Sequence, residues 1–229
     1  MDRKLRWGGQ IIQMLDQLDG TGNSVIMVRH SERPSFESIP HDKWDSIDLT
    51  DTGIEEARNF GRALVAHSNV KDLQVFGWGF KRCQTTARAI CEGASHQSNR
   101  THSPTKISLK SPIVNGDEYR KALYSLTWDQ FIRNWLKDGR QQAGMIPASK
   151  YAEEIYLSLL REDICHPSKT TVIATHDLFI IPLARYYFSE SLHYVDFLDG
   201  IVLQANDDKL NIGYNGKIKT VPRPVSTSS

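Results

Sequence analysis

Three short, β-rich apolar runs, each followed by a helix-period pattern, constrain this chain more than any other feature. The runs are Val25-Ile26-Met27-Val28, Leu73-Gln74-Val75-Phe76 and Thr171-Val172-Ile173-Ala174-Thr175. The first and third carry no charge and read as central strands buried on both faces. After the first comes 53–66, with Ile54, Ala57, Phe60 (or Gly61) and Leu64 on one helical face. After the second comes 82–91, with Thr86, Ala89 and Ile90, and after the third comes 178–188. Strands that alternate with helices predict an α/β fold in three layers, α/β/α, around a mostly parallel central sheet. Near the C-terminus, 201–205 and 210–214 flank Asn-Asp-Asp-Lys and predict a closing hairpin. The tail VPRPVSTSS is expected to fray.

The middle of the chain is less regular. Residues 93–105 are polar and read as a surface loop, while 125–137 place Leu126, Phe131, Ile132, Trp135 and Leu136 at helical spacing. A further helix is expected over 149–160. This helical insertion either packs on the sheet or forms a cap over its edge, about residues 94–150; the cap is the preferred reading. With no internal repeat and no low-complexity linker, residues 1–229 are expected to form a single domain.

Composition excludes several classes. The 28 Lys and Arg balance 27 Asp and Glu, for a net charge of +1. No overall field attracts nucleic acid or an anionic membrane, so any anion site must be a local cluster of cations. Cys83, Cys91 and Cys165 cannot all pair internally. On one helix Cys83 and Cys91 would stand about 12 Å apart along the axis, too far for a disulfide. Reduced thiols and a cytoplasmic setting are expected, and no spacing suggests a zinc site. The first twenty residues interrupt their apolar positions with Gln and Asp, which reads as neither a signal peptide nor a membrane span.

The chemistry gathers where an open α/β sheet binds ligands, at the carboxyl ends of its strands. Arg29-His30-Ser31-Glu32-Arg33 follows the first run. Gly77-Trp78-Gly79-Phe80-Lys81-Arg82 follows the second, with Arg82 opening a helix, and His176-Asp177 follows the third. Any one of these residues has an ordinary surface or structural explanation; their joint delivery to one sheet edge does not. A phosphomonoester carries about two negative charges, which guanidinium forks match bidentately. A neutral imidazole attacks phosphorus, and nearby cations keep it neutral. A carboxylic acid then protonates the leaving oxygen. No GxxxxGK[ST] stretch supports nucleotide-cradling chemistry.

Arg29-His30-Ser31-Glu32-Arg33 resembles the RHG-type signature of the histidine phosphatase superfamily, the phosphoglycerate mutase and acid phosphatase group. Leu49-Thr50-Asp51-Thr52-Gly53, with Ala57 beyond, is similar to its LTxxG…A stretch. Arg82-Cys83-Gln84-Thr85-Thr86-Ala87 is similar to its RxxxTA helix start, and His176-Asp177 resembles its second-histidine motif. The four occur in family order from about residue 24 to 188. The resemblance implies a phosphoglycerate mutase-like fold, with His30 as the phosphorylated nucleophile. It implies Arg29, Arg33, Arg82 and His176 as the phosphate pocket, and Asp177 as the proton donor. Asp117 and Glu118 fall where the mutase-like branch takes its acid, and they stand in reserve; the ordinary reading of both is a solvated turn after Gly116. Ser31 replaces the usual Gly, and its hydroxyl is a possible aid to phosphate binding. Gly77-Trp78-Gly79 replaces the usual Ser-Ser-Pro, with Trp78 either a packing residue or a pocket wall.

The expected activity is metal-independent hydrolysis of a phosphomonoester through phosphohistidine, with no cofactor. The expected partner is a phosphorylated small molecule or phosphoprotein substrate, with no nucleic acid and no membrane. A phosphomutase of the same fold and a non-catalytic phospholigand-binding protein are the alternatives.

Overall fold

The structure is a computed structural model that describes residues 5–18, 20, 23–36, 39–98, 103–106, 109–137, 144–161, 164–167, 169–188, 194–206 and 208–223. The first two apolar runs become β1 (Asn23–Arg29) and β2 (Asp72–Gly77); a short edge strand, β3 (Thr105–Lys106), precedes β4 (Lys169–Thr175), the third run. β5 (Gly200–Ala205) and β6 (Lys209–Tyr214) are the expected hairpin, and β7 (Lys217–Pro222) extends it. The described strands form one sheet in the order β3-β2-β4-β1-β5-β6-β7. β3, β2, β4 and β1 are parallel. β5, β6 and β7 continue from β1 as an antiparallel wing.

Alternation along each strand builds two cores, one per face. Val25, Met27, Ile173, Ile201 and Leu203 point to one side. Ile26, Val28, Val172, Ala174 and Val202 point to the other. Each fully buried aliphatic side chain contributes roughly 1.5–3 kcal/mol. The second face is covered by α1 (Gly9–Asp16), α2 (Asp51–Ala66) and α3 (Lys81–Ser98), through Met14, Phe60, Leu64 and Ile90. After α4 (Gly116–Ser125), the first face is covered by α5 (Trp128–Trp135), α6 (Ala148–Leu159) and α7 (Asp177–Phe188), through Phe131, Trp135, Ile155 and Phe179. This is the three-layer arrangement the sequence predicts.

Three local expectations are corrected. α3 continues to Ser98, through Gly93, where a loop was expected. The cause is a tight seam between α2 and α3. A Cβ on Gly93 would overlap the Arg58 carbonyl oxygen, and one on Gly61 would overlap that of Ile90. Glycine is therefore the packing residue here rather than a breaker. Val221 and Pro222 are not frayed but pair with Leu210 and Lys209 in β7, an edge strand where proline is tolerated. The rest of the tail, 224–229, lies outside the described residues. Asp117 and Glu118 sit in the first turn of α4, whose N-cap Asn115 accepts from both of their backbone N–H groups, rather than in an irregular turn.

Among the described residues no helix is long and apolar enough to cross a membrane. The three cysteines are free and buried, and Cys83 and Cys91 do share α3.

Candidate active site

Sheet register builds the site. Arg29 pairs with Thr175, and Gly77 with Ala174, so the segments leaving β1, β2 and β4 emerge side by side. His30 N–H donates to the Thr175 carbonyl (2.7 Å), and Trp78 N–H to the Ala174 carbonyl (3.0 Å). Arg29, His30, Arg33, Arg82, His176 and Asp177 all line one cavity of about 860 Å³.

The remaining signature residues brace the β1 loop from behind. Ser31 N–H donates to Thr86 Oγ1 (3.0 Å), whose own hydroxyl donates to the Arg82 carbonyl (2.8 Å). Thr50 caps α2 by accepting from Gly53 N–H (2.9 Å) and donates its own N–H to the Glu32 carbonyl (3.0 Å). Gly53 lies so close to that carbonyl that a Cβ would overlap it. Ser31 Oγ donates to the Gly53 carbonyl (2.7 Å) and is fully buried. The suggested role of Ser31 in phosphate binding is therefore corrected: its hydroxyl faces the scaffold and is absent from the cavity lining.

His30 is held in one tautomer. Its Nδ1 lies 2.8 Å from the Ser31 carbonyl oxygen. A carbonyl only accepts, so Nδ1 carries the proton and Nε2 keeps its lone pair. Burial, then the Arg29 charge, hold His30 well below the ordinary histidine value against the opposing pull of the Ser31 carbonyl. His176 is lowered likewise by burial and then Arg82. The two rings meet edge to face, with centroids 5.1 Å apart. His176 Nε2 also contacts the Cys83 sulfur at 3.4 Å, and burial pushes that thiol up to about 12, so it is not a thiolate near neutrality.

The arginines are fixed by carbonyls and aromatic faces. Arg29 Nη1 donates to the Val195 carbonyl (2.6 Å), and its guanidinium lies 4.4 Å from the Tyr194 ring centroid and 4.5 Å from that of Phe197. Arg33 Nη1 donates to the Pro34 carbonyl (2.6 Å) and lies over Phe36. Arg82 Nη1 donates to the Trp44 carbonyl (3.1 Å). Burial and the other guanidinia bring Arg33 down to about 10, still protonated at neutral pH. The buried Nε of each of the three arginines has no hydrogen-bond partner. Three positive forks with unused donors, crowded around two neutral imidazoles, suit a multiply charged anion.

Asp177 opens α7, its Oδ1 accepting from Leu178 N–H (2.9 Å) and its Oδ2 lying 3.7 Å from Arg29 Nε. The reserve acids stand elsewhere. Asp117 is 86% exposed and paired with Arg120 (2.8 Å), Glu118 is exposed, and neither lines the cavity. Trp78 is both packing residue and wall: it lines the cavity, sits 4.1 Å from Phe179 centroid to centroid, and donates from Nε1 to the Leu109 carbonyl (3.3 Å). Sequence reasoning missed several other aromatic walls, among them Phe36, Trp44, Tyr119 and Tyr124. They come from segments with no motif, and a run of aromatics carries no address until the chain is folded. Among the described residues, no three His, Cys, Asp or Glu side chains are grouped to hold a metal ion.

No family model matches the sequence, and no curated protein matches it either. Solved structures do. Phosphoglycerate mutase from Bacillus anthracis str. Sterne superposes with a TM-score of 0.51 at 16% identity, covering 90% of this chain and 95% of that one. Phosphoserine phosphatase from Entamoeba histolytica, in complex with 3-phosphoglyceric acid, gives 0.50 at 15%, covering 79% and 89%. Mycobacterial glucosyl-3-phosphoglycerate phosphatase gives 0.50 at 12%, covering 88% and 97%. The chain shares the phosphoglycerate mutase-like fold of these structures.

Proposed function

We propose that the protein is a metal-independent phosphatase that hydrolyses a phosphomonoester in two steps through phosphohistidine. One observation carries the reading: the tautomer of His30 leaves a neutral Nε2 lone pair in a cavity lined by three arginines. In the first step Nε2 forms a bond to phosphorus as the ester P–O bond breaks. The Asp177 carboxyl gives its proton to the departing oxygen, and the alcohol leaves. Arg29, Arg33, Arg82 and His176 bind the non-bridging oxygens and stabilise charge in the transition state. In the second step water attacks phosphorus, Asp177 takes its proton, and the N–P bond returns its electrons to Nε2. Among the acids the sequence offered for the proton-donor role, Asp177 is supported because it lines the cavity beside His176 and Asp117 and Glu118 do not.

The chain acts as a single domain in this reading, with the segment around α4 as the cap: Tyr119, Arg120, Leu123 and Tyr124 of that helix line the cavity. The substrate is a phosphorylated small molecule or phosphoprotein, and the three free thiols support a cytoplasmic setting. The test is release of inorganic phosphate from a panel of phosphomonoesters, with and without a chelator. Release that the chelator leaves unchanged is expected. Loss with a chelator and return with a divalent metal would refute the metal-free step, and migration of phosphate without release would make the protein a mutase.

A further inference from the structure

Beyond its cationic floor the cavity is aromatic and short of positive charge. An unbroken path of rings starts at the arginines themselves. The Arg33 guanidinium lies 3.3 Å from the Phe36 ring centroid. Phe36 stacks on Trp44, with centroids 4.5 Å apart and planes 10° apart. Trp44 meets Tyr124 edge-on at 6.3 Å. All three rings line the cavity, and Tyr124, 45% exposed, stands where it meets solvent. Across the floor, Phe80 packs edge-on against His176 at 4.9 Å.

The charged groups on the same walls point the same way. Apart from the three floor arginines, the only described cation of the lining is Arg120, and Asp117 already holds it at 2.8 Å. The acids of the lining are Asp177 and Asp45. A leaving group with its own carboxylate or second phosphate would meet no further unpaired cation among the described lining residues and would face Asp45. A planar ring attached to the ester oxygen would instead lie against faces that favour aromatic contact.

Resting on the phosphatase reading above, we propose that the substrate is an aryl phosphate, a phosphomonoester of an aromatic alcohol with no second anionic group beside the ester. The Phe36–Trp44–Tyr124 wall receives the ring, and Asp45 disfavours acidic leaving groups. Two sources share this chemistry: a phosphotyrosine side chain and a small free aryl phosphate.

Turnover alone is a poor test, because aryl esters are intrinsically better leaving groups. Binding of phosphonates avoids this, since the C–P bond is not cleaved. Calorimetry would compare methylphosphonate, benzylphosphonate and phosphonoacetate on the wild type, Trp44→Ala, Tyr124→Ala and Asp45→Asn. Benzylphosphonate should bind about tenfold more tightly than methylphosphonate, the scale of one aromatic pair plus its buried area. That ratio should fall toward one in Trp44→Ala and in Tyr124→Ala, and reading the ratio cancels any shift of the shared phosphonate site. Phosphonoacetate should gain on methylphosphonate in Asp45→Asn. A short peptide carrying phosphonomethyl-phenylalanine distinguishes the sources: tighter binding than benzylphosphonate indicates phosphotyrosine, equal or weaker binding a small aryl phosphate. Phosphonoacetate as the best wild-type ligand, or a benzyl-to-methyl ratio that neither alanine variant changes, would overturn the aromatic assignment while leaving hydrolysis intact. Failure of every phosphonate to bind would overturn both the assignment and the cationic floor beneath it.

Discussion

Replacing Arg82 separates a group placed for chemistry from one placed for stability. Arg82 is 7% exposed, and its Nε is unsatisfied. Burial depresses its pKa, and Arg29 adds to that, while Cys83, Asp45 and Asp177 pull the other way. The charged form is thus disfavoured where it stands, so Arg82→Met should leave the melting temperature unchanged or raise it. Activity should respond oppositely. Loss of a donor aimed at transition-state charge costs about 2.7–4 kcal/mol, or ~10²–10³ in rate. Inorganic phosphate links the two readouts. At a hundred times its Kd it stabilises the wild type by about 2.7 kcal/mol, a rise of about 5–10 °C for a chain of this size. If the variant weakens phosphate tenfold, the same concentration contributes about 1.4 kcal/mol, and if a hundredfold, about 0.4 kcal/mol. Thermal unfolding with and without phosphate, beside kcat/KM, reads all three quantities. A variant that is less stable without phosphate, yet keeps the full phosphate shift, would show Arg82 to be structural and refute the reasoning.

Other outcomes follow from the same geometry. Asp177→Asn should slow phosphorylation by about 10²–10⁴ on an alkyl phosphate, and far less on p-nitrophenyl phosphate, whose leaving group needs no proton; rapid-quench kinetics on both substrates decide, and equal slowing would leave Asp177 only a positioning role. Because His30 and His176 are both held neutral in the fold, the unfolded chain takes up protons first as pH falls below about 6.5. The contribution of the two histidines should therefore be fully present above that value and decline below it by up to about 2.7 kcal/mol per pH unit, offset in part near pH 6 by Asp199, whose buried carboxyl is raised to about 6; chemical denaturation between pH 7.5 and 5.5 checks this, and His30→Asn should lessen the decline. Gly93→Ala forces a methyl against the Arg58 carbonyl oxygen and should cost about 1–3 kcal/mol, measurable by urea unfolding; an unchanged midpoint would mean that the α2–α3 seam yields easily.

The parts of the fold read from periodicity were legible because β1 and β4 are buried through their centres, β2 is apolar but for Gln74, and the helices after them keep a clean face. The candidate cluster was legible for the same reason: its members lie at or within a few residues of the strand ends, so placing the strands brought them to one edge of the sheet. Where the reading failed, local composition misled or tertiary packing decided. Gly93 looks like a loop residue until α2 lies against it. The β6–β7 turn did carry a signal, Asn215-Gly216, both with positive φ and suited to a tight hairpin, but the charged, exposed β7 hid the strand behind it. Asn115 ahead of Asp117 and Glu118 was likewise a readable helix start. The direction of the Ser31 hydroxyl was not readable, because it depends on a carbonyl 22 residues away in sequence. Nor was the aromatic wall, which joins the segment around Phe36 and Trp44 to a helix far along the chain.

The central claim is a covalent bond between phosphorus and His30 Nε2. Its most direct test is rapid mixing with p-nitrophenyl phosphate, a denaturing quench at alkaline pH that preserves a phosphoramidate, and mass spectrometry of the resulting peptides. Asp177→Asn should raise the yield, since the activated ester needs no acid to phosphorylate the enzyme while the later attack of water lacks its base. The account predicts one phosphoryl adduct, on the peptide bearing His30, absent from a folded His30→Ala protein that no longer turns over. Turnover that continues in His30→Ala, or an adduct on another residue, would contradict it.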